Sequence, residues 1–365
     1  MSGIAVNIRP FSLKLKNPFG ISRGSMVQAK NVLITIRFGE IVAYGEAAPS
    51  GYYGEDQDSV IAFINGFIKN RRLEEYLTNV KKLKDDLSDF STNIYRGSSS
   101  SARVALEMAM WDLIGKIDNK SLYQFFFEND PFLSNGNEYK NIQPTSFTIG
   151  LDNLLVIKDK VKDALSLGYK VLKIKLGSGF ENDLAILKTI KELKGENHCK
   201  LRVDANGGWD LSTAKKILPI LSEYGVELLE QPFSKGEVHK FTSFIKDSPI
   251  PIFVDEDCMV GSQIENLAGK VHGINIKLMK GGSILEVLNM ISLARAYNLK
   301  VMLGCMIESS CAISAAVHLS PLADYVDLDG HLLLEKDPFT GLALENGKVI
   351  PSFDAGLGVS LSENY

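Results

Sequence analysis

Cysteine is scarce in this chain: four residues in 365, Cys199, Cys258, Cys305 and Cys311, with neither a CxxC pair nor a zinc-ligand spacing. That excludes a disulfide-stapled scaffold and leaves buried thiols in a reducing, cytoplasmic setting as the expectation. An excess of one charge is lacking too. Lys plus Arg number 40 and Asp plus Glu 44, a net charge of −4 without long runs of either sign, so no nucleic acid or membrane partner is expected. No stretch approaches the roughly 20 apolar residues that span a bilayer. The first residues, Met1 to Arg9, lack the basic and then apolar order of a leader. What is present is a chain 45% hydrophobic, able to bury a large core and long for one compact unit, so two domains are expected.

Residues 4 to 15 alternate apolar and polar, and Val32, Ile34, Ile36 and Phe38 repeat the pattern before a turn at Gly39-Glu40 and a return through Ile41 to Gly45. That is antiparallel sheet. The serines at 98 to 101 then precede Val104, Leu106, Met108, Trp111, Leu113 and Ile114, spaced for a Ser-capped and largely buried helix. Strands followed by helices give an α+β first domain over residues 1–125, and the segment from Phe125 to Asn137 reads as an irregular connector.

From about residue 145 short apolar strands alternate with helix-like segments. The strands expected are 146–149, 171–175, 201–204, 227–230, 252–255, 274–277, 301–303 and 325–327. Eight such units point to a closed parallel α/β barrel over residues 140–335. A leucine-rich solenoid of similar period lacks its L-x-x-L-x-L signature here. The turn-rich tail, about 336–365, is expected to return to the first domain.

Lys175, Asp204, Glu230, Asp255, Lys277 and Asp327 each close an apolar strand. Side chains at the C-terminal strand ends of such barrels converge on one mouth, whereas charge placed lower would be costly to bury. The spacings 29, 26, 25 and 22 from residue 175 to 277 each correspond to one strand, helix and loop, so five consecutive strands present Lys, Asp, Glu, Asp, Lys. Singly, each has a plain explanation, a solvated strand end or a helix cap. Together, three crowded carboxylates call for a cation, and oxygen-only donors favour Mg²⁺ over zinc. A structural ion-pair cluster with the lysines is the alternative. With a cation between them, a lysine of lowered pKa could remove a proton next to a carboxylate, the metal stabilising the enediolate, and the opposite lysine could return a proton to the other face.

At these residues the chain resembles the muconate-lactonizing subgroup of the enolase superfamily. The matching pieces are Lys173-Ile174-Lys175, Val203 to Trp209, Glu230-Gln231-Pro232, Asp255-Glu256 and Asn275 to Leu278 followed by Gly281-Gly282. Gly45 to Pro49 and Ala105 to Asp112 look like that family's capping domain. The resemblance implies a modified TIM barrel, (β/α)7β, under an α+β N-terminal capping domain completed by the tail. It implies one Mg²⁺ per subunit on Asp204, Glu230 and Asp255, Lys175 and Lys277 as the acid/base pair, and Lys173 near the substrate carboxylate. Where that family often has Ser after Asp-Glu, this chain has Asp257 and Cys258, which adds negative charge beside the site.

Asp327-Leu328-Asp329 resembles the Asp-x-Asp motif of dipeptide epimerases, suited to a substrate ammonium; the plainer reading is that one carboxylate only binds nearby backbone amides. Arg23 falls where related L-Ala-D/L-Glu epimerases carry an arginine on a mobile capping loop, suited to a side-chain carboxylate. Thr148, Cys305 and Met306 resemble substrate-contacting positions, and Gly51 to Gly54 a second covering loop. The expected activity is therefore epimerisation of a dipeptide of the L-Ala-L/D-Glu type, such as peptidoglycan turnover releases. A cycloisomerase, an o-succinylbenzoate synthase, an N-acylamino acid racemase or a non-catalytic binding relative are the alternatives. The partner expected is the small dipeptide, with a homo-oligomer possible.

Overall fold

The computed structural model describes residues 4–69, 99–127, 142–195, 197–363 and 365. Its N-terminal part is a three-stranded antiparallel sheet of β1 (Ile4–Ile21), β2 (Gly24–Phe38) and β3 (Ile41–Ala47). Phe11, Leu13 and Leu15 point inward at every second position, as strand alternation requires. The helix Ser100–Asp118 covers this sheet and is buried from Ser101 to Gly115, with the Ser99 side chain accepting from Ala102 N as its cap. Gly45 permits the close approach, since a Cβ there would lie 2.0 Å from Ala105 O.

The alternation expected to end at residue 15 continues. A register shift between Lys14 and Phe19 carries β1 past Asn17-Pro18, and pairing resumes from Phe19 to Ile21. Arg23, expected on a capping loop, sits in the two-residue turn of this long hairpin. The connector expected from Phe125 begins later, because the helix Leu122–Phe127 includes Phe125; the rest of it, residues 128–137, lies outside the described residues.

The second part is an eight-stranded parallel sheet in chain order. Its strands are β4 (Phe147–Ile149), β5 (Val171–Lys175), β6 (Lys200–Asp204), β7 (Val226–Glu230), β8 (Ile252–Val254), β9 (Gly273–Lys277), β10 (Lys300–Gly304) and β11 (Tyr325–Asp327). A parallel bridge between Thr145 and Val326, with Ser146 N donating to Val326 O at 3.1 Å, brings the ends together and closes the barrel. Helices follow the first seven strands. Only the 3₁₀ turn Gly330–Leu333 follows β11 before the tail, the (β/α)7β pattern.

Leu228, Phe253 and Met302 form a small apolar layer separate from the main core. Gly273 leaves room for the Phe253 ring, which a Cβ would meet at 2.3 Å. The tail reaches back to the first sheet and its helix: Phe339 packs edge-on against Tyr44 at 5.2 Å, Glu335 N donates to Lys14 O, and Leu357 N donates to Asp112 Oδ1 on the helix at 2.8 Å. Among the described residues no helix is long and apolar enough to cross a membrane.

Candidate active site

Apolar runs put the barrel strands in place, and β5, β6, β7, β8, β9 and β11 carry a charged residue at or just past the end that forms the mouth. Parallel register sets Lys175 beside Asp204 and Asp204 beside Glu230. Asp255 stands one residue past β8. β5 and β9 are four strands apart in a ring of eight, so Lys175 and Lys277 occupy opposite sides of the mouth. Two backbone conformations rare for side-chain-bearing residues follow the acidic positions, Asn206 at φ 44° and Gln231 at φ 38°. Each has a local return. Asn206 N donates to Asp204 Oδ1 at 2.8 Å, and Gln231 Oε1 accepts from Asp255 N and Glu256 N at 2.8 and 3.1 Å.

The carboxylates are buried and held by ammonium groups. Lys175 Nζ lies 2.6 Å from Asp204 Oδ2. Lys173 Nζ stands among three acids, 2.6 Å from Asp327, 2.7 Å from Glu230 and 3.3 Å from Asp204. Lys277 and Lys280 take the two oxygens of Asp255 at 2.8 and 2.6 Å. Lys173, expected near a substrate carboxylate, is thus paired with the acids and also lines the cavity over the site. Burial and then the Asp204 charge push Glu230 up to about 7. Burial also acts on Asp204 and Asp255, but Lys175 with Lys173, and Lys277 with Lys280, outweigh it and hold both below the usual range.

The lowering expected of a lysine applies beside a bound cation, and the acids alone act on Lys277 the other way. Burial pulls the ammonium down, yet the Asp255 charge outweighs it and raises the group. Asp257, expected to add negative charge beside the site, is held by its neighbours: Gln231 Nε2 donates to Oδ2 and Gly236 N to Oδ1, both at 2.7 Å.

Above these groups lies a cavity of about 420 Å³. Lys173, Lys175, Lys277 and Asp255 form its floor; Thr148, Cys305, Met306, Asp327 and Asp329 form one side; Arg23, Tyr52 and Tyr53 cover it. Asp204 and Glu230 are fully buried beneath. Cys199, Cys258 and Cys311 are buried, as expected of all four cysteines, whereas Cys305 is half-buried because it borders the cavity. Asp327 accepts from Lys173 and Ser146 Oγ and is held at about 2, burial being outweighed by the Lys173 charge. Asp329 accepts from Thr148 N at 2.6 Å, while burial and then Asp327 push it up to about 6. The backbone-amide reading is thus realised for Asp329, and both carboxylates still border the cavity.

Among the described residues no three acidic, histidine or cysteine groups converge on one point as the side chains stand. The donor set nonetheless fits a hard cation, since Asp204, Glu230 and Asp255 offer only carboxylate oxygens and each already attracts an ammonium, those of Lys175, Lys173 and Lys277. Two groups escaped sequence reasoning. Lys280 is 2% exposed and donates to Asp255 O, Cys258 O and Asn275 O; its only signal is a lysine inside an otherwise apolar run after Lys277. Glu256 is buried and accepts from Arg23 at 2.8 Å, a contact that no spacing reveals.

The model of the mandelate racemase/muconate lactonizing enzyme N-terminal domain matches residues 3–126, and that of the enolase C-terminal domain-like family matches residues 156–365. A hydrophobic dipeptide epimerase of Roseobacter litoralis is 36% identical, over 96% of this chain and 97% of its own. An L-Ala-D/L-Glu epimerase of Bacteroides thetaiotaomicron is 34% identical over 96% of this chain and 86% of its own. The dipeptide epimerase of Cytophaga hutchinsonii, crystallised with Mg and D-Ala-L-Val, superposes with a TM-score of 0.85 at 27% identity, over 100% of this chain and 97% of that one.

Proposed function

This chain belongs to the mandelate racemase/muconate lactonizing enzyme family of the enolase superfamily, and from that premise we propose that it is a Mg²⁺-dependent dipeptide epimerase. It inverts the α-carbon of the C-terminal residue by 1,1-proton transfer, and a dipeptide of the L-Ala-L/D-Glu type is the first candidate substrate. The observation that carries this reading is the placement of Lys175 and Lys277 on opposite barrel strands with buried acids between them.

Asp204, Glu230 and Asp255 would hold the ion. When bound, Mg²⁺ supplies positive charge that stabilises the substrate carboxylate as electron density flows into it. The chain's own groups do the rest. Asp327 and Asp329, bordering the cavity together, hold the substrate ammonium. One lysine, as the neutral amine, takes the α-proton onto Nζ, and the other, as the ammonium, delivers a proton to the opposite face of the same carbon. No atoms are gained or lost, and the two lysines exchange protonation states. The Tyr52 and Tyr53 segment with the Arg23 turn keeps water from the planar intermediate.

A dipeptide library incubated in D₂O with Mg²⁺ tests the proposal by mass spectrometry. Deuterium should enter members with a free N-terminus at one carbon only. Labelling confined to N-acylated amino acids would instead mean an N-acylamino acid racemase.

A further inference from the structure

Arg23 is held from three separate segments. Its Nη1 donates to Asn206 O at 2.7 Å, its Nη2 donates to Glu256 Oε1 at 2.8 Å, and its guanidinium lies 4.3 Å from the centre of the Tyr52 ring. Ser22 Oγ donates to the same Asn206 carbonyl at 3.0 Å and fixes the hairpin turn. Of these partners the carbonyl and the ring are uncharged. Glu256 alone alters the charge that Arg23 presents to the cavity. Glu256 is 1% exposed, borders the cavity, and has its second oxygen, Oε2, buried without a hydrogen-bond partner among the described residues.

We propose that Glu256 is a specificity-determining residue: by pairing with Arg23 it holds the guanidinium in the cavity wall and masks its charge, so that an acidic substrate side chain must share Arg23 with a buried anion. This rests on the dipeptide epimerase reading. The physical reason is asymmetric. An apolar side chain meets a neutral ion pair and is unaffected, whereas a carboxylate gains contact with Arg23 and is repelled by Glu256 at once. Gln at position 256 would keep an oxygen able to accept from Nη2 while removing the repulsion. Gln at position 23 would leave Glu256 uncompensated.

The test is a competition between L-Ala-L-Glu and L-Ala-L-Leu in D₂O with Mg²⁺, read as the ratio of their kcat/KM values, in which any general loss of activity cancels. Glu256→Gln should raise the Glu-to-Leu ratio about tenfold, and Arg23→Gln should lower it by about the same factor or more. Because Glu256 adjoins Asp255, titration calorimetry of both dipeptides gives the same ratio as binding constants should turnover be lost. A ratio that stays level or falls in Glu256→Gln overturns the inference and leaves Glu256 only orienting Arg23. A wild-type protein that neither binds nor turns over either dipeptide overturns the epimerase reading, and this inference with it.

Discussion

Replacing Lys277 by Ala should abolish epimerisation without unfolding the protein. Removing one member of a buried ion pair commonly costs about 3–5 kcal/mol, because the other charge is left stranded. Here Asp255 keeps Lys280 at 2.6 Å on its other oxygen. Lys175→Ala is buffered in the same way, since Asp204 keeps Asn206 N at 2.8 Å and Lys173 at 3.3 Å. Both variants should therefore lose less than about 3 kcal/mol in urea denaturation. Catalysis has no such reserve. Lys173 and Lys280 are each 2% exposed and tied to acids or carbonyls, so neither can take over at the α-carbon. A positioned acid or base contributes about 10²–10⁴-fold, and inversion requires both, so epimerisation should fall by at least that factor in either variant. Proton NMR in D₂O separates the two halves of the reaction: each variant should exchange the α-proton of one epimer with solvent and leave the other untouched. Near-normal inversion in both variants, or loss of exchange from the same epimer in both, would refute the two-base arrangement.

Further expectations concern the ion, the ammonium pocket and the core. Mg²⁺ should raise the unfolding temperature of EDTA-stripped protein, and Glu230→Gln should shrink that rise; identical melting with and without Mg²⁺ would remove the case for an ion site. N-acetylating the dipeptide removes the charge paired with Asp327 and Asp329, a loss of about 2–5 kcal/mol, so kcat/KM should drop at least tenfold; equal rates would favour an N-acylamino acid racemase. His318 is fully buried, with Nε2 3.4 Å from Leu357 O, and burial lowers it to about 4. A depressed histidine leaves stability intact above the unfolded value near 6.5 and erodes it as pH falls toward 4. The share of this one residue between pH 8 and pH 5 is about 2 kcal/mol. His318→Leu should flatten the pH dependence of the urea midpoint by that amount, and an unchanged slope would contradict the burial argument; His331, also lowered to about 4, supplies a second share.

The barrel was legible because six of its eight strands are short apolar runs ended by charge, and the observed limits of β5 and β11 coincide with those read from sequence. The long hairpin was not. Asn17, Pro18 and Gly20 are turn-formers, and the bulge between Lys14 and Phe19 hides the pairing that continues beyond them. For the site, residue types at strand ends told which groups meet, since period-two alternation and parallel register decide that. They did not tell which ammonium rests on which carboxylate. That choice depends on side-chain reach across the mouth, and it is why Lys173 on Glu230 and Asp327 and Lys280 on Asp255 escaped sequence reasoning.

The tail gives the chain an order of assembly. Residues 4–47 precede the barrel in the chain, but their sheet is packed by Phe339 against Tyr44 and the helix laid on it receives Leu357 N at Asp112, contacts that do not exist until the barrel between them has been made. The nascent cap must therefore wait, with apolar surface exposed, while the entire barrel is translated. A ribosome-bound fragment stalled before residue 339 should thus be a client of holding chaperones, whatever the stability of the finished protein.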